Sequence, residues 1–317
     1  MKPIKSVILM KINVFFLLVL IFTIEAGAQI TDTEKALRTK SVPDTISGWK
    51  KGGLVNLNFS QTSLSNWSAG GESTIAGNGI VSLFANWKRK DTSSWDNLLN
   101  IGYGTMRSSA NKPFIKTDDR IEINSKYGRE INKNLFYAGF FSFKTQMTAG
   151  YNYINDTSKK KISNLLAPGY ILVAIGLDYK PTDNIGIFLA PVTGRLTLVE
   201  DTALSNAGAF GVKKGESSLT EFGGYLRLTY KLDVMTNISL FTEADFFSNY
   251  LKNPTNVVVN WQALLSLKIN KYFAATIGTT LIYDDAIKYK DPVDPAIYHG
   301  PRVQFKEVLA IGFSHNF

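Results

Sequence analysis

The chain contains no cysteine and only two histidines, and these shortages exclude several kinds of chemistry. Without cysteine there is no disulfide framework, no thiol nucleophile and no residue to carry a lipid anchor after export. His299 and His315 leave few general bases for catalysis. The acidic segment 291–294 lacks the ligand spacing of a calcium loop. We therefore expect no cofactor and no bound metal.

Long apolar runs are also scarce. The run Ile12 to Ile24 follows three lysines and is shorter than the roughly 20 residues that a retained membrane helix needs. Ala26-Gly27-Ala28, followed by Gln29, has the small-x-small form of a signal peptidase site. We predict a signal peptide over residues 1–28, a short polar periplasmic extension over 29–49 and a folded domain over 50–317.

Instead of long runs, the domain has apolar residues at every second position. In the last segment, Val303 to Phe317, the side chains of Leu309, Ile311 and Phe313 alternate with small or polar residues. A period of two sends these groups to opposite faces of a strand. That pattern suits a strand with lipid on one side and a polar lumen on the other, although a half-buried strand of a soluble sheet fits this segment alone equally well.

The whole domain resolves this choice, because twelve segments of this kind follow one another. They are Gly52–Gln61, Ser73–Arg89, Trp95–Met106, Arg120–Arg129, Leu135–Met147, Gly169–Lys180, Ile185–Val199, Thr220–Leu232, Ile238–Phe247, Val257–Ile269, Tyr272–Tyr283 and Val303–Phe317. Their connections alternate between short ones and long ones, and the long ones are 62–72, 107–119, 148–168, 200–219, 248–256 and 284–302. This alternation predicts an all-β fold, an antiparallel transmembrane barrel of about twelve strands with short periplasmic turns and long extracellular loops. A two-sheet soluble sandwich is the remaining alternative.

The formal net charge of +9 does not indicate a nucleic-acid partner. Basic residues are scattered among acidic ones and form no stripe. A surface of this kind suits the neighbourhood of anionic lipid head groups, and the 20 phenylalanines and 14 tyrosines suit the aromatic girdles of a barrel.

One segment resembles a known family signature. Residues 61–71 read Q-T-S-L-S-N-W-S-A-G-G and resemble the Q-x-x-L-x-N-W-x-x-G-G signature of a Bacteroidota family of predicted outer-membrane barrels catalogued as a domain of unknown function. The resemblance rests on Gln61, Asn66, Trp67, Gly70 and Gly71, and it extends to later stretches that include Asp284-Asp285. It implies a barrel in the outer membrane, in contact with its lipids and inserted by the barrel-assembly machinery. It implies no activity, because the family's function is not established.

The polar faces of the strands provide the candidate site. Residues expected to line the lumen are Arg120, Glu122, Lys126, Lys144, Gln146, Arg227, Glu243, Asp245, Lys268 and Lys306. Charges of mixed sign at close quarters allow two interpretations. They could tune the selectivity of a pore that passes a small solute, or they could form a cross-linked plug of salt bridges that closes the barrel.

Two further functions stay open at this point. The long loops, with Asn66, Trp67 and the basic run Lys159 to Lys161, could bind a partner in a non-conducting scaffold. A hydrolase at the loop rim could use Asp118-Asp119, Asp284-Asp285 and His299, but paired acids at strand ends are more often solvated. We therefore predict a barrel without enzymatic activity that acts as a channel or binds a small ligand.

Overall fold

The structure is a computed structural model that describes residues 47–64, 72–90, 92–108, 112–153, 158–270, 273–285, 289–290 and 298–316. The strands of the first half are β1 Gly48–Thr62, β2 Thr74–Arg89, β3 Ser93–Ser108, β4 Ile115–Asn132, β5 Leu135–Thr145, β6 Gly150–Tyr153, β7 Lys159–Ser163 and β8 Gly169–Thr182. The second half contains β9 Ile185–Leu198, helix α1 Thr202–Asn206, a 3-10 turn Ala209–Gly211, β10 Ser218–Met235, β11 Ile238–Asn249, β12 Val257–Lys268, β13 Phe273–Tyr283, β14 Tyr289–Lys290, β15 Tyr298–His299 and β16 Gln304–Asn316. The helices in this part of the chain are too short to cross a bilayer.

Twelve of these strands form one closed antiparallel barrel in the order β1-β16-β13-β12-β11-β10-β9-β8-β5-β4-β3-β2. Each strand therefore pairs with its neighbours in the chain, and β16 returns to β1 to close the ring. The prediction of an all-β barrel of about twelve antiparallel strands is confirmed. The short strands β6 with β7, and β14 with β15, form separate hairpins within the long connections.

The two ends of the barrel differ in their connections. The short-turn rim carries the connections 90–92, 133–134, 183–184, 236–237 and 269–272, and the long-loop rim carries the others. At the short-turn rim, several turns accept a backbone hydrogen bond from the second strand that follows them in the barrel. The acceptor is a carbonyl oxygen of the turn and the donor is a backbone N–H of that strand. Asn134 O accepts from Lys180 N, Asn184 O from Lys231 N and Asn237 O from Lys268 N, each at 2.8 Å. These bonds tie each of the three turns to the second strand that follows it.

The outer surface of the barrel is apolar. Leu57, Ile175 and Ile311 are outward-facing and expose 61%, 63% and 63% of their surface. Near the short-turn rim, exposed rings stand on the same face: Trp95, Tyr127, Tyr137 and Tyr179. Rings of this kind favour the interface between lipid and water. A closed barrel that is apolar outside and polar inside is built to span a membrane, because neighbouring strands satisfy one another's backbone hydrogen bonds.

Among the described residues, the seam between the first and last strands is the shortest pairing in the barrel. It runs from Leu54 opposite Asn316 to Leu57 opposite Phe313, which is four residue pairs. The pairing between β1 and β2 runs from Gly48 opposite Lys88 to Thr62 opposite Thr74 and includes fifteen pairs. The barrel is therefore held least firmly where its two chain ends meet.

Candidate functional site: the lumen

The inward face of the barrel is identified by a cavity of about 630 Å³ inside it. Lys126, Arg227 and Glu243 line this cavity, and so do turn residues such as Lys133 and Asp183 at the short-turn rim. The cavity therefore opens at that rim. Because side chains of cross-strand partners stand on the same face of a sheet, the assignment extends around the barrel.

The structure places nine of the ten predicted lumen residues on the inward face and one at the long-loop rim. Nine of them have inward parity, since each shares a face with a cavity-lining residue through the strand pairing. Gln146 instead follows the end of β5 at the long-loop rim, where its Oε1 accepts a hydrogen bond from Lys116 Nζ at 2.8 Å. Among the inward residues, Lys144, Lys268 and Lys306 are exposed near strand ends. The structure brings Arg227, Glu243 and Asp245 into direct contact.

These contacts belong to what we call the ion-pair wall, defined as the inward face of β8–β11. Arg227 forms a two-pronged bond with Asp245, at 2.7 Å from Nε and 2.8 Å from Nη2, and lies 3.5 Å from Glu243. Tyr225 donates its hydroxyl to Asp245 at 2.7 Å, and Gln262 donates to Glu243 at 3.0 Å. Both carboxylates are therefore paired with the Arg227 cation and accept a further hydrogen bond from a neutral side chain, as a buried charge requires.

Further pairs extend this wall toward both rims. Toward the long loops, Arg195 on β9 bonds to Glu221 on β10 at 2.5 Å. Toward the short turns, Asp178 on β8 accepts from Lys126 at 2.8 Å and lies 3.4 Å from Lys180. Within the described residues, every inward ion pair joins groups on the same strand or on strands one or two apart. The pair of Lys126 on β4 with Asp178 on β8 joins the ion-pair wall to the edge of the β1–β4 side across β5.

Aromatic rings occupy the interior beside the ion pairs, which the sequence analysis did not predict. Phe140, Phe188, Tyr225 and Phe247 are buried in one cluster. The Arg227 guanidinium carbon lies 4.9 Å from the centre of the Phe140 ring, close enough for a cation–π contact. The doublets Phe140-Phe141 and Phe246-Phe247 contained the signal, because neighbouring residues of a strand point to opposite faces and one ring of each doublet has to point inward.

The opposite side of the lumen, which we call the amide wall, is the inward face of β1–β4. Its side chains make few hydrogen bonds to one another, among them Asn58 to Asn56 at 2.7 Å and Asn124 to Glu122 at 2.8 Å. Buried polar atoms without a hydrogen-bond partner belong to Asn58, Asn78, Ser82, Asp96, Asn100, Asp118, Arg120 and Asn124. In the described part of the chain, the one such atom outside this wall is Ser266 Oγ. The two walls therefore differ in how far their polar groups are satisfied.

Outside the membrane-spanning strands, one group of long-loop residues forms a small packed unit that we call the rim cluster. It comprises hairpin β6–β7, residues 164–168 and connection 199–217, and its core is Ala167, Val199, Leu204 and Val212. Asp201 caps α1 through the backbone N–H groups of Ala203 and Leu204. Hydrogen bonds from Lys161 and Asn164 hold the pKa of the Asp201 carboxyl well below its usual range, at about 2. The same contact raises the pKa of Lys161.

Lys116 on β4 joins the barrel to residues 146–148, which lead into the rim cluster, and its ammonium lies 3.5 Å from Ser163 Oγ on β7. Its ammonium donates to Asp119 Oδ2, Gln146 Oε1 and the Thr148 carbonyl at 2.8 Å each. Asp119 also accepts from the backbone N–H groups of Met147 and Thr148 at 2.7 and 2.9 Å. The structure thus assigns Asp119, considered above for hydrolysis, to a structural set of hydrogen bonds.

The structure describes three of the loop-motif residues, Gln61, Asp284 and Asp285. Gln61 is exposed near the end of β1, whereas Asn66, Trp67, Gly70 and Gly71 lie outside the described residues. Asp284 and Asp285 follow β13, and Asp285 accepts hydrogen bonds from Asn256 and, at 3.0 Å, from the Tyr283 hydroxyl. The side chains of His299 and His315 are outside the described part. The hydrolase hypothesis, which needs His299, therefore lies partly outside the described residues.

The fold and its lumen define a class, a membrane-spanning β-barrel with a polar interior. Over residues 59–151 the chain is similar to the family "Protein of unknown function (DUF3078)". No curated protein matches it.

Solved structures with a similar fold include three outer-membrane proteins. The translocator domain of autotransporter NalP from Neisseria meningitidis has 10% identity and a TM-score of 0.36, covering 89% of this chain and 95% of that one. An outer membrane channel from Pseudomonas putida F1 has 10% identity and a TM-score of 0.42, covering 92% and 100%. Outer membrane phospholipase A from Escherichia coli has 11% identity and a TM-score of 0.32, covering 87% and 95%. Similarity at this level indicates no substrate and no activity.

Proposed function

We propose that this protein is an outer-membrane barrel that lets small polar solutes pass through its lumen. One observation carries the proposal. Inside a barrel with an apolar outer belt lies a polar cavity of about 630 Å³ that opens at the short-turn rim. A polar interior in an apolar shell is costly for a purely structural element, whereas it is what an aqueous path through lipid requires.

The arrangement of the ion pairs favours a pore over a cross-linked plug. In the described residues, the pairs join neighbouring or next-neighbouring strands, such as Arg227 on β10 with Asp245 on β11. Such pairs fix side chains locally around the barrel wall, and the widest of them, Lys126 on β4 with Asp178 on β8, spans only β5. A plug would need bonds across the lumen to hold it closed.

The cellular setting follows as part of the same proposal. The predicted cleavage before Gln29 would deliver the chain to the envelope, and the barrel-assembly machinery would insert it into the outer membrane. The signal peptide, the extension over 29–49 and the Bacteroidota origin rest on the sequence alone. Sequencing the N-terminus of the protein from outer-membrane fractions tests the cleavage. Retention of residues 1–28, or recovery from the soluble periplasm, would contradict it.

Solute passage is tested by reconstituting the purified protein in liposomes and in planar bilayers. We expect KCl conductance from wild type and a marked reduction in Thr229→Trp, because Thr229 lines the cavity and a large ring would fill it. Leu228→Trp is the matched control, since Leu228 is the outward neighbour and is 38% exposed. A folded wild-type protein without any flux of ions or small solutes would overturn the proposal.

The rim cluster supports one alternative, a binding protein that uses its long loops. Its buried core and the Lys116 bonds give these loops a fixed shape, which a recognition surface needs. Lys116→Met should loosen this shape without altering the lumen. Absence of flux in wild type, together with a binding activity that Lys116→Met abolishes, would establish the alternative.

A further inference from the structure

The charged side chains that line the cavity are not equally accessible. The side chains of Lys126 on β4 and Lys180 on β8 each expose 27% of their surface, whereas the side chain of Asp178, which pairs with both, exposes 5%. Arg227 is likewise more exposed than its partner Glu243. All five residues line the cavity. The cations therefore present their charge to the cavity, and the carboxylates that pair with them are largely covered.

Lys126 and Lys180 share one carboxylate oxygen. Asp178 Oδ2 lies 2.8 Å from Lys126 Nζ and 3.4 Å from Lys180 Nζ. Within the described part of the chain, neither ammonium forms a second ion pair. Each ammonium has three N–H donors, and Asp178 can occupy one donor of each. The two lysines therefore carry one positive charge more than their shared partner offsets, and they retain donors for a ligand.

The remaining carboxylates of the cavity do not cancel this charge. The lining contains six basic residues and five acidic ones. Glu130 and Asp183 belong to the short-turn rim, which also carries Arg89 and Lys133 on the cavity lining. Asp96 on β3 lines the cavity too, but its Oδ1 is buried and has no hydrogen-bond partner, so this oxygen is not presented to a solute. The accessible charge of the inner cavity is therefore positive.

An anion that enters the cavity can replace part of its lost hydration with these ammonium groups. A charge beside a wall of low dielectric acts more strongly than in bulk water. Such a wall is present here, because the centre of the Phe136 ring lies 5.3 Å from Lys180 Nζ. Basic side chains in a narrow passage are also the groups that favour anions in pores. We propose, on the basis of the proposed function, that Lys126 and Lys180 form an anion site through which the barrel prefers small anions to cations.

The preference is measured as the reversal potential of planar bilayers that separate two KCl concentrations. We expect wild type to pass chloride more readily than potassium. Lys126→Gln and Lys180→Gln should each lower the ratio of chloride to potassium permeability about fivefold, the effect of one unit charge about 4 Å away in a water-like medium. Both variants should fold, because the new amide can still donate to Asp178 and the other lysine still pairs with it.

Further variants separate an anion site from a purely structural ion pair. Asp178→Asn removes the shared negative charge and should raise the preference for chloride, whereas a structural pair would only lose stability. Lys180→Arg keeps the charge and should keep the preference. Lys90→Gln is the matched control, since Lys90 is an exposed residue of the same rim that does not line the cavity. It should leave the permeability ratio unchanged, because salt screens an exposed charge.

Folding of every variant is checked by heat-modifiable gel migration. A wild type that prefers potassium, or a preference that folded Lys126→Gln and Lys180→Gln leave unchanged, would overturn the anion site and leave the channel intact. A folded wild type without current would instead refute the proposed function. The site is then tested in detergent by calorimetric titration with inorganic phosphate. Binding that Lys126→Gln and Lys180→Gln weaken would support the anion site, and absence of binding would overturn it.

Discussion

The ion-pair wall and the amide wall are made from the same kind of strand and differ in what completes their hydrogen bonds. On β8–β11, Asp245 is satisfied by Arg227 and Tyr225 within the protein. On β1–β4, Asn100 has no protein partner at all. One wall therefore satisfies its buried polar groups by ion pairs within the protein, whereas the other leaves several of its buried polar atoms without a hydrogen-bond partner.

The largest expected effect comes from removing the central cation of each wall. Arg227→Met leaves Asp245 and Glu243 buried without their partner and should cost about 3 to 5 kcal/mol. Arg120→Met should cost less, because Nε and Nη2 of Arg120 make no hydrogen bond and the nearest Asp118 carboxylate oxygen is 4.0 Å away. Urea unfolding in detergent or lipid measures both. Equal losses would show that the two walls do not differ as described.

The second prediction tests whether the two walls differ only on their inward faces and are alike on the faces that meet the lipid. Val81 on β2 and Ile175 on β8 both face outward near the middle of their strands, one behind each wall. An arginine at the bilayer midplane costs about 2 to 4 kcal/mol. Val81→Arg and Ile175→Arg should therefore lower the free energy of unfolding by similar amounts. Val81→Ile and Ile175→Val are the controls. Tolerance at one position alone would mean that the belt is not continuous around the barrel.

The smallest effect concerns the rim cluster, which sits above the ion-pair wall. The pKa of Asp201 is lowered to about 2, so its contribution is complete above the unfolded value of about 4 and is lost as pH falls through about 2. Protection of the Ala203 and Leu204 amides from hydrogen exchange should decrease over that range. Asp201→Asn still caps the helix but does not titrate, and it should remove the pH dependence. Constant protection in wild type would contradict the assignment.

The sequence predicted the barrel well because its signal is local. The segment predicted as Gly169–Lys180 is strand Gly169–Thr182, since the period of two and the following turn residues define both ends. Hairpin β6–β7 was taken as loop, because its strand Lys159–Ser163 begins with three consecutive lysines and shows no apolar alternation. Strand β4 starts at Ile115 rather than Arg120, because Lys116 and Asp119 satisfy each other at the barrel end.

The sequence predicted which side chains of the site point into the barrel, but not which of them contact one another. Alternation identified Arg227 and Asp245 as inward, yet only the register between β10 and β11 places them opposite each other. The sequence could not predict, for a similar reason, that the side-chain amide of Asn100 has no hydrogen-bond partner. It depends on Ser82 and Glu122, its partners on two other strands, and neither offers it a hydrogen bond.

The short seam between β1 and β16 also sets an order of assembly. Leu54 and Asn316 belong to opposite ends of the folded domain, so their pairing closes the longest loop in the chain and carries the largest entropic cost. Neighbouring strands can form hairpins as soon as both are present, but the ring can close only when β16 arrives. Until then, β1 and β16 are two open edges that can pair with other strands. Pairing at the seam is therefore the step at which a growing sheet becomes a closed barrel.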